Sequence, residues 1–311
     1  MKNNPVTENK WTGILSDFVI YLRLERALAD NTRYAYLRDI NGFLDFLKDR
    51  QIAAGDTMPG PRDITGIHIQ DYLASVTGKG ISPRTQARQL SALNTFFTFL
   101  LTEKYIEHSP CTTVAAPKTG RRLPVVLSLT EIENIIDSID LSQNEGHRNM
   151  AIIEMLYGCG LRVSELTTLK LTDYFPDEGF IRVIGKGNKQ RLVPIGSHAV
   201  HALELYFPWR NRLNIHPNAT DYMFLNRYGR PLSRNMVFIM IKEQAGKAGI
   251  KKIISPHTFR HSFATHMIEN GADLRVVQEM LGHSSILTTE IYTHIDKAHW
   301  QQSILSHHPR R

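Results

Sequence analysis

The hydrophobic positions in the first hundred residues recur every three or four residues, which is the spacing of one face of an α-helix. Two such series are Leu37, Ile40, Leu44 and Leu47, and then Leu90, Leu93, Phe97 and Leu100. The second series follows Ser82 and Pro83, residue types that favour the N-cap and the first turn of a helix. A short helical pattern lies between the two series, and an opening one covers residues 11–29, so this region predicts a bundle of about four helices.

The helical pattern stops near residue 110, where the chain becomes rich in proline and in basic side chains. Ser128 and Glu131 then have the spacing of a capping box, which predicts the start of a new helix. The pattern therefore predicts a helical domain over residues 1–109, a basic linker over residues 110–124 and a second domain over residues 125–311.

The second domain is predicted to be mostly helical with one small sheet. The stretch FIRVIGKGNKQRLVPI has two runs of β-forming residues around Gly-Lys-Gly-Asn, which is a hairpin signal. Helical stripes resume at about residue 197, with Ser233 and Ser255 placed as N-caps and Gly271 and Gly282 placed as C-terminal caps. The predicted fold class is therefore mainly α with a small antiparallel sheet.

Composition and charge narrow the classes of protein. The 311 residues are 42% hydrophobic and 22% charged, and they include only two cysteines, Cys111 and Cys159. These values, a polar start and the lack of a long apolar run favour a cytoplasmic protein without export signal or membrane span. The formal net charge of +7 favours a polyanionic partner, of which nucleic acid is the commonest.

Three basic residues are candidates for contacts with nucleic acid. Arg84 and Arg88 lie four positions apart near the start of the helix that opens at Pro83, and Lys118 lies in the linker. The two arginines either belong to a solvated helix face or contact phosphates and bases in a groove. A basic linker would lie against the phosphate backbone of a duplex wrapped by two domains.

The stretch SPHTFRHSFATHM crowds histidines around an arginine. His257 and Arg260 share one face near the positive end of a helix, which suits an anion such as phosphate. His261 lies four residues beyond His257, as in a metal-binding helix, but a zinc-protease helix would need glutamate at position 258, where Thr258 stands. His261 and His266 also fit buried structural histidines, so a metal site, structural histidines and a phosphate site all stay open.

Further polar residues fit chemistry at phosphate. Arg162 follows a Gly-x-Gly break, and Glu165 either forms an ordinary ion pair with it or orients it toward a substrate oxyanion. Lys186 lies in the hairpin turn, as an exposed lysine or as an ammonium that enters a site. Tyr292 lies among small polar residues; its phenol needs a proton acceptor and a positive field to act as a nucleophile. The residues able to supply these are His257, His283, Arg162 and Arg260.

Four stretches of the second domain together resemble the tyrosine recombinase family, and within it the Xer-type recombinases. They are CGLRVSELTTLKL, GKGNKQRLVPI, SPHTFRHSFATHMIENGADLRVVQEMLGHSS and TTEIYTHI. The resemblance implies an N-terminal core-binding, SAM-like DNA-binding domain and a C-terminal catalytic domain. It also implies that the chain after Tyr292 contains a helix that docks on a neighbouring protomer.

The resemblance implies a role for each of six residues. Arg162 and Arg260 would clamp the scissile phosphate, Lys186 would protonate the leaving 5′ oxygen, and His257 would act as acid and base. His283 would contact the phosphate, and Tyr292 would be the nucleophile. The family's chemistry implies no metal, no cofactor and no ATP.

The function that the resemblance implies is site-specific recombination through a 3′-phosphotyrosyl intermediate and a four-way junction. The protein would bind double-stranded DNA and form a homo- or hetero-tetramer on two DNA sites, with a paralogous recombinase and a DNA translocase as partners. Its role would be the resolution of chromosome dimers at cell division, in the cytoplasm on the nucleoid. Alternatives are an integrase or invertase of a mobile element, a DNA-binding regulator without catalysis and a type IB topoisomerase. The short segment before the first helix favours the Xer-type role, and the presence of all six residues disfavours a regulator.

Overall fold

The computed structural model describes residues 5–26, 28–54, 56–117, 125–185, 189–282 and 305–310. The chain divides into two compact units, residues 1–122 and residues 123–311. Within these described segments, no helix is both long and apolar enough to cross a membrane.

The N-terminal unit contains the predicted four helices. These are α1 (Pro5–Leu24), α2 (Asp30–Ala54), α3 (Gly66–Gly78) and α4 (Pro83–Thr102). The opening helix begins and ends earlier than the predicted residues 11–29. It ends early because Leu22 is the last buried apolar side chain of its inner face, after which the chain turns through residues 25 and 26. Ser82 caps α4 as predicted, since its Oγ accepts a hydrogen bond from the Thr85 amide at 3.3 Å.

The two apolar stripes of this unit form its core. Seven of their eight residues are buried, and Leu37 packs against the others at the edge. Aromatic rings fill the centre, where Phe18 meets Phe96 edge-on with ring centroids 5.0 Å apart. Residues 110–113, at the start of the predicted linker, form a 3₁₀ turn whose Cys111 side chain is buried in the same core.

The C-terminal unit is mainly helical around one small sheet. Its helices are α5 (Leu129–Asp137), α6 (Gly146–Gly158), α7 (Val163–Thr168), α8 (Ser197–Asn211), α9 (Arg234–Lys247), α10 (Pro256–Glu269) and α11 (Leu274–Met280). Its strands are β1 (Tyr174–Phe175), β2 (Phe180–Ile184) and β3 (Gln190–Pro194). The predicted fold class is confirmed.

The sheet is antiparallel in the order β1-β2-β3, and β2 and β3 form the predicted hairpin. Val183 pairs with Arg191, and the Gly185 amide donates to the Lys189 carbonyl at 2.8 Å where the hairpin leaves the sheet. Strand β1 has only two residues and no sequence pattern of its own, so the sequence does not predict it.

Helix α6 is the central helix of the unit and packs against α8 and α10. Its run from Ala151 to Tyr157 is buried on all sides, which is why its sequence is apolar apart from Glu154. The flanking caps follow the sequence. Ser128 and Glu131 form the predicted capping box, and Gly271 and Gly282 have the positive φ angles, 91° and 63°, that favour glycine after a helix.

The last described segment, residues 305–310, lies against its own C-terminal unit. His308 is buried between the rings of Tyr157 and Phe263, and Arg310 donates to the Glu154 carboxylate at 2.5 Å. The docking of the chain after Tyr292 on a neighbouring protomer stays a prediction.

Candidate active site

A tight turn places Arg162 at the start of α7. Gly160 has a φ of 59°, in the left-handed region that other residues avoid. A Cβ atom there would lie 2.6 Å from the Phe263 ring, so the turn also needs the smallest side chain. The chain then takes an extended conformation at Arg162, which is the N-cap residue of α7.

Glu165 holds Arg162 at two points. Its carboxylate accepts from the Arg162 backbone amide and from Arg162 Nη1, both at 2.8 Å. Glu165 is 3% exposed, whereas the side chain of Arg162 is 32% exposed. The structure therefore favours the interpretation in which Glu165 orients Arg162, with the arginine reaching solvent from a buried anchor.

Arg260 approaches the same carboxylate from α10. Its Nη1 lies 3.8 Å from Glu165 Oε2 and donates to the Gly160 carbonyl at 2.8 Å, and its Nη2 donates to the Leu281 carbonyl. Burial and, next, the charge of Arg162 lower the pKa of Arg260 to about 10. The guanidinium therefore stays protonated at neutral pH.

Arg191 on β3 is a member of this cluster that the sequence analysis missed. Its Nη1 and Nη2 donate to the two oxygens of Glu165 at 2.9 and 3.0 Å, and its Nε donates to the Met280 carbonyl at 2.6 Å. The sequence signal that could have identified Arg191 was the alternation of side chains between the two faces of β3, which puts Arg191 on the same buried face as Val193. An arginine at such a position needs a buried acceptor.

The C-terminal end of α11 closes the cluster, because three consecutive carbonyls each accept from a different arginine. Met280 accepts from Arg191, Leu281 from Arg260, and Gly282 from Arg162 Nη2 at 3.4 Å. Cations are favoured at the negative end of a helix. The cluster thus joins α7, β3 and the consecutive helices α10 and α11, which are three separate parts of the sequence.

The charge balance of the cluster suits an anion. Burial by itself would raise the pKa of Glu165, but the hydrogen bonds and charge of Arg191 and the hydrogen bonds of Arg162 outweigh it and lower the pKa. Three guanidinium groups around one carboxylate leave two positive charges uncompensated among the described residues. Arg162 and Arg260 each use two of their five N–H groups on described protein atoms. The remaining N–H groups can bind phosphate oxygens.

His257 lies in the first turn of α10, three residues before Arg260, and is exposed. Partial burial of the ring lowers its pKa, and the charges of His261, Arg260 and Arg162 lower it further. At neutral pH the ring is therefore uncharged and able to accept a proton.

The sequence allows the neighbouring residues His266 and His261 to be buried structural histidines, and it also allows His261 to be part of a metal site. His266 is structural, because its Nδ1 lies 2.8 Å from the Tyr157 hydroxyl and burial lowers its pKa. His261 is exposed, so the core interpretation does not apply to it. No group of three or more His, Cys, Asp or Glu side chains among the described residues is placed to hold a metal ion.

Four of the predicted site residues, Lys118, Lys186, His283 and Tyr292, lie outside the described residues. Of the two candidate DNA-binding arginines on α4, Arg84 is exposed, and Arg88 forms an ion pair with the buried carboxylate of Asp39 on α2. Arg88 thus has a structural contact that the sequence analysis did not foresee.

Comparison with known proteins supplies the family. The phage integrase family matches residues 126–299, and the N-terminal SAM-like domain of phage integrases matches residues 15–104. Tyrosine recombinase XerD of Staphylococcus saprophyticus subsp. saprophyticus is 40% identical over 297 residues, and that of Staphylococcus haemolyticus is 38% identical. Each alignment covers 96% of this chain and 99% of the relative.

A solved structure shows the same relationship in three dimensions. The crystal structure of the XerH site-specific recombinase bound to palindromic difH substrate, a post-cleavage complex, aligns with a TM-score of 0.68 at 25% identity. The alignment covers 93% of this chain and 82% of that one. The chain therefore belongs to the phage integrase family and, within it, to the Xer-type tyrosine recombinases, enzymes that break and rejoin DNA.

Proposed function

We propose that the protein is a site-specific recombinase in which Tyr292 cleaves a DNA strand while Arg162 and Arg260 bind the scissile phosphate. The tyrosine oxygen attacks phosphorus, the bond to the 5′ oxygen breaks, and a 3′-phosphotyrosyl link forms. His257 accepts the phenolic proton, Lys186 gives a proton to the leaving 5′ oxygen, and His283 contacts the phosphate. A 5′ hydroxyl from a second duplex then reverses the attack.

One observation carries this proposal: Glu165 brings the guanidinium groups of Arg162 and Arg260 together, and His257 lies three residues before Arg260 on the same helix. Charge grows on the non-bridging phosphate oxygens in the transition state, and donors held in place beforehand stabilise it without reorganisation. One phosphodiester replaces another at each step, so the reaction needs no ATP. The two guanidinium groups supply the charge stabilisation that a divalent metal ion would otherwise supply.

The test is formation of a covalent complex on a nicked suicide DNA substrate, followed on a denaturing gel. Arg162→Ala or Arg260→Ala is expected to slow cleavage on the order of a hundredfold or more, with DNA affinity almost unchanged. Tyr292→Phe is expected to bind DNA without forming the adduct. Equal losses of binding and cleavage, or an adduct from Tyr292→Phe, would contradict the assigned roles.

The biological substrate belongs to the same proposal. The relatives named tyrosine recombinase XerD support site-specific recombination as the activity. We further propose that the protein resolves chromosome dimers at cell division, as a tetramer on two duplex sites with a paralogous recombinase and a DNA translocase as partners. Mapping the cleaved phosphodiesters on genomic DNA tests this role. Cleavage near the replication terminus is expected, whereas cleavage at the ends of a mobile element would indicate an integrase or invertase.

A further inference from the structure

Arg191 is central to the arginine cluster, although it is not among the residues expected to touch DNA. It is 6% exposed, and each of its three guanidinium nitrogens donates to a protein oxygen. Two of these bonds go to Glu165 and one to the Met280 carbonyl. All three nitrogens of the side chain are therefore engaged inside the protein.

Two glycines pack against this guanidinium. A Cβ atom at Gly282 would lie 3.2 Å from Arg191 Nη1 and 3.3 Å from Cζ, and a Cβ atom at Gly185 would lie 3.4 Å from Nη1. Gly185 directly precedes Lys186, and Gly282 directly precedes His283. The Arg191 side chain therefore touches the chain next to two residues of the proposed site.

We propose that Arg191 is a positioning residue for strand cleavage, which links the segments entering Lys186 and His283 to the carboxylate that orients Arg162. The inference rests on the proposed function, because that function supplies the reaction. The reacting groups come from separate parts of the chain, and an error of about 1 Å in their placement can cost on the order of a hundredfold in rate. A buried guanidinium with a rigid fork of donors can fix several segments at once.

The same contacts keep Glu165 ionised. The charged groups that face it are Arg162 from α7, Arg191 from β3 and Arg260 from α10. Burial raises the pKa of Glu165, and the contributions of Arg191 are the largest that oppose it. Without Arg191 the pKa of Glu165 is expected to rise, and Arg162 then loses its charged partner as the pH falls.

The experiment measures single-turnover adduct formation by the full-length protein at saturating suicide substrate over a range of pH. Arg191→Met, which keeps an unbranched apolar side chain and removes the guanidinium group with its charge, is expected to slow cleavage on the order of a hundredfold. Its rate is expected to rise with pH where the wild-type rate is flat. Arg191→Lys is expected to recover part of the rate, and it serves as the measured variant if Arg191→Met does not unfold cooperatively.

A double mutant and a matched control separate positioning from a general loss of structure. If Arg191 acts through Glu165, then Glu165→Gln with Arg191→Met has the rate of Arg191→Met at low pH, where Glu165 is protonated, and has lost the rise in rate with pH. The control is Arg210→Met, because Arg210 is 3% exposed and donates to the Thr220 and Tyr222 carbonyls, outside the cluster. This control is expected to lower stability without changing the pH profile of cleavage.

The outcomes distinguish the two proposals. Additive losses in the double mutant, or an Arg191 variant whose rate and pH profile match those of Arg210→Met, would overturn the positioning role alone. Absence of an adduct from the wild-type protein would overturn the proposed function and the inference together.

Discussion

Replacement of Gly160 by alanine tests whether the turn before Arg162 is as constrained as its contacts indicate. A left-handed backbone costs a residue other than glycine about 1–2 kcal/mol. The new Cβ would lie 2.6 and 2.9 Å from two carbons of the fully buried Phe263 ring and 3.2 Å from Leu281 Cδ2. Overpacking of this kind costs about 1–3 kcal/mol. Together these effects predict a loss of about 2–5 kcal/mol in the free energy of unfolding.

The same substitution is expected to slow catalysis. The Gly160 carbonyl accepts from Arg260 Nη1, so a turn that shifts to relieve the clash also shifts the guanidinium. We expect adduct formation to slow by about tenfold or more at a temperature where the variant stays folded. The measurements are urea denaturation and single-turnover cleavage.

Gly246→Ala in α9 is the matched control for Gly160→Ala. No described atom beyond its own helix lies within 4 Å of the Cβ that alanine would add at Gly246. Alanine there is expected to raise the free energy of unfolding by about 0.5–1 kcal/mol. A Gly160→Ala protein that unfolds at the wild-type urea concentration would refute the reasoning.

Four further predictions concern charged or titratable side chains. Burial lowers the pKa of His308 from 6.5 to about 4. As the pH falls, His308 is therefore protonated in the unfolded chain before it is protonated in the folded protein, and the free energy of unfolding should drop by about 2 kcal/mol from pH 7 to pH 5. Denaturation of His308→Leu at both pH values should lack that drop. An equal drop in His308→Leu would contradict the prediction. Arg88→Ala should destabilise the protein by about 1–3 kcal/mol, because Asp39 stays buried without its partner. Arg84→Ala should leave stability unchanged and lower by about one unit the slope of log DNA affinity against log salt concentration. The opposite results in denaturation and binding assays would make Arg84 the structural residue and Arg88 the DNA contact. Because the pKa of His257 is lowered, wild-type cleavage should fall only below pH 6.5; a fall complete at pH 6.5, or an identical fall in His257→Gln, would exclude this residue as the base.

Local patterns account for the features that the sequence predicted correctly. The apolar stripes of α2 and α4, the capping box at Ser128 and the hairpin of β2 and β3 depend on residues a few positions apart, so periodicity and spacing identify them. The pairing of Arg162 with Glu165 has the same origin, since three positions separate them. The family resemblance added the expected roles of residues that spacing alone left ambiguous.

The arginine cluster shows where local patterns stop. Arg191 meets Met280 across 89 positions of sequence, and Arg260 meets Gly160 across 100. The pairing of Arg88 with Asp39 spans 49 positions. It gives Arg88 a structural role, whereas the sequence predicted either a solvated helix face or a contact with DNA.

By itself, the sequence determined the helices, their caps, the hairpin and the family, because each depends on neighbouring residues or on long ordered motifs. Only the tertiary structure decided which arginines share Glu165, that Arg191 is one of them, and that three carbonyls at the end of α11 complete the cluster. The physical reason is that a buried charge requires an oppositely charged or hydrogen-bonding partner. The folded chain brings that partner from a distant segment, and no local pattern specifies which one.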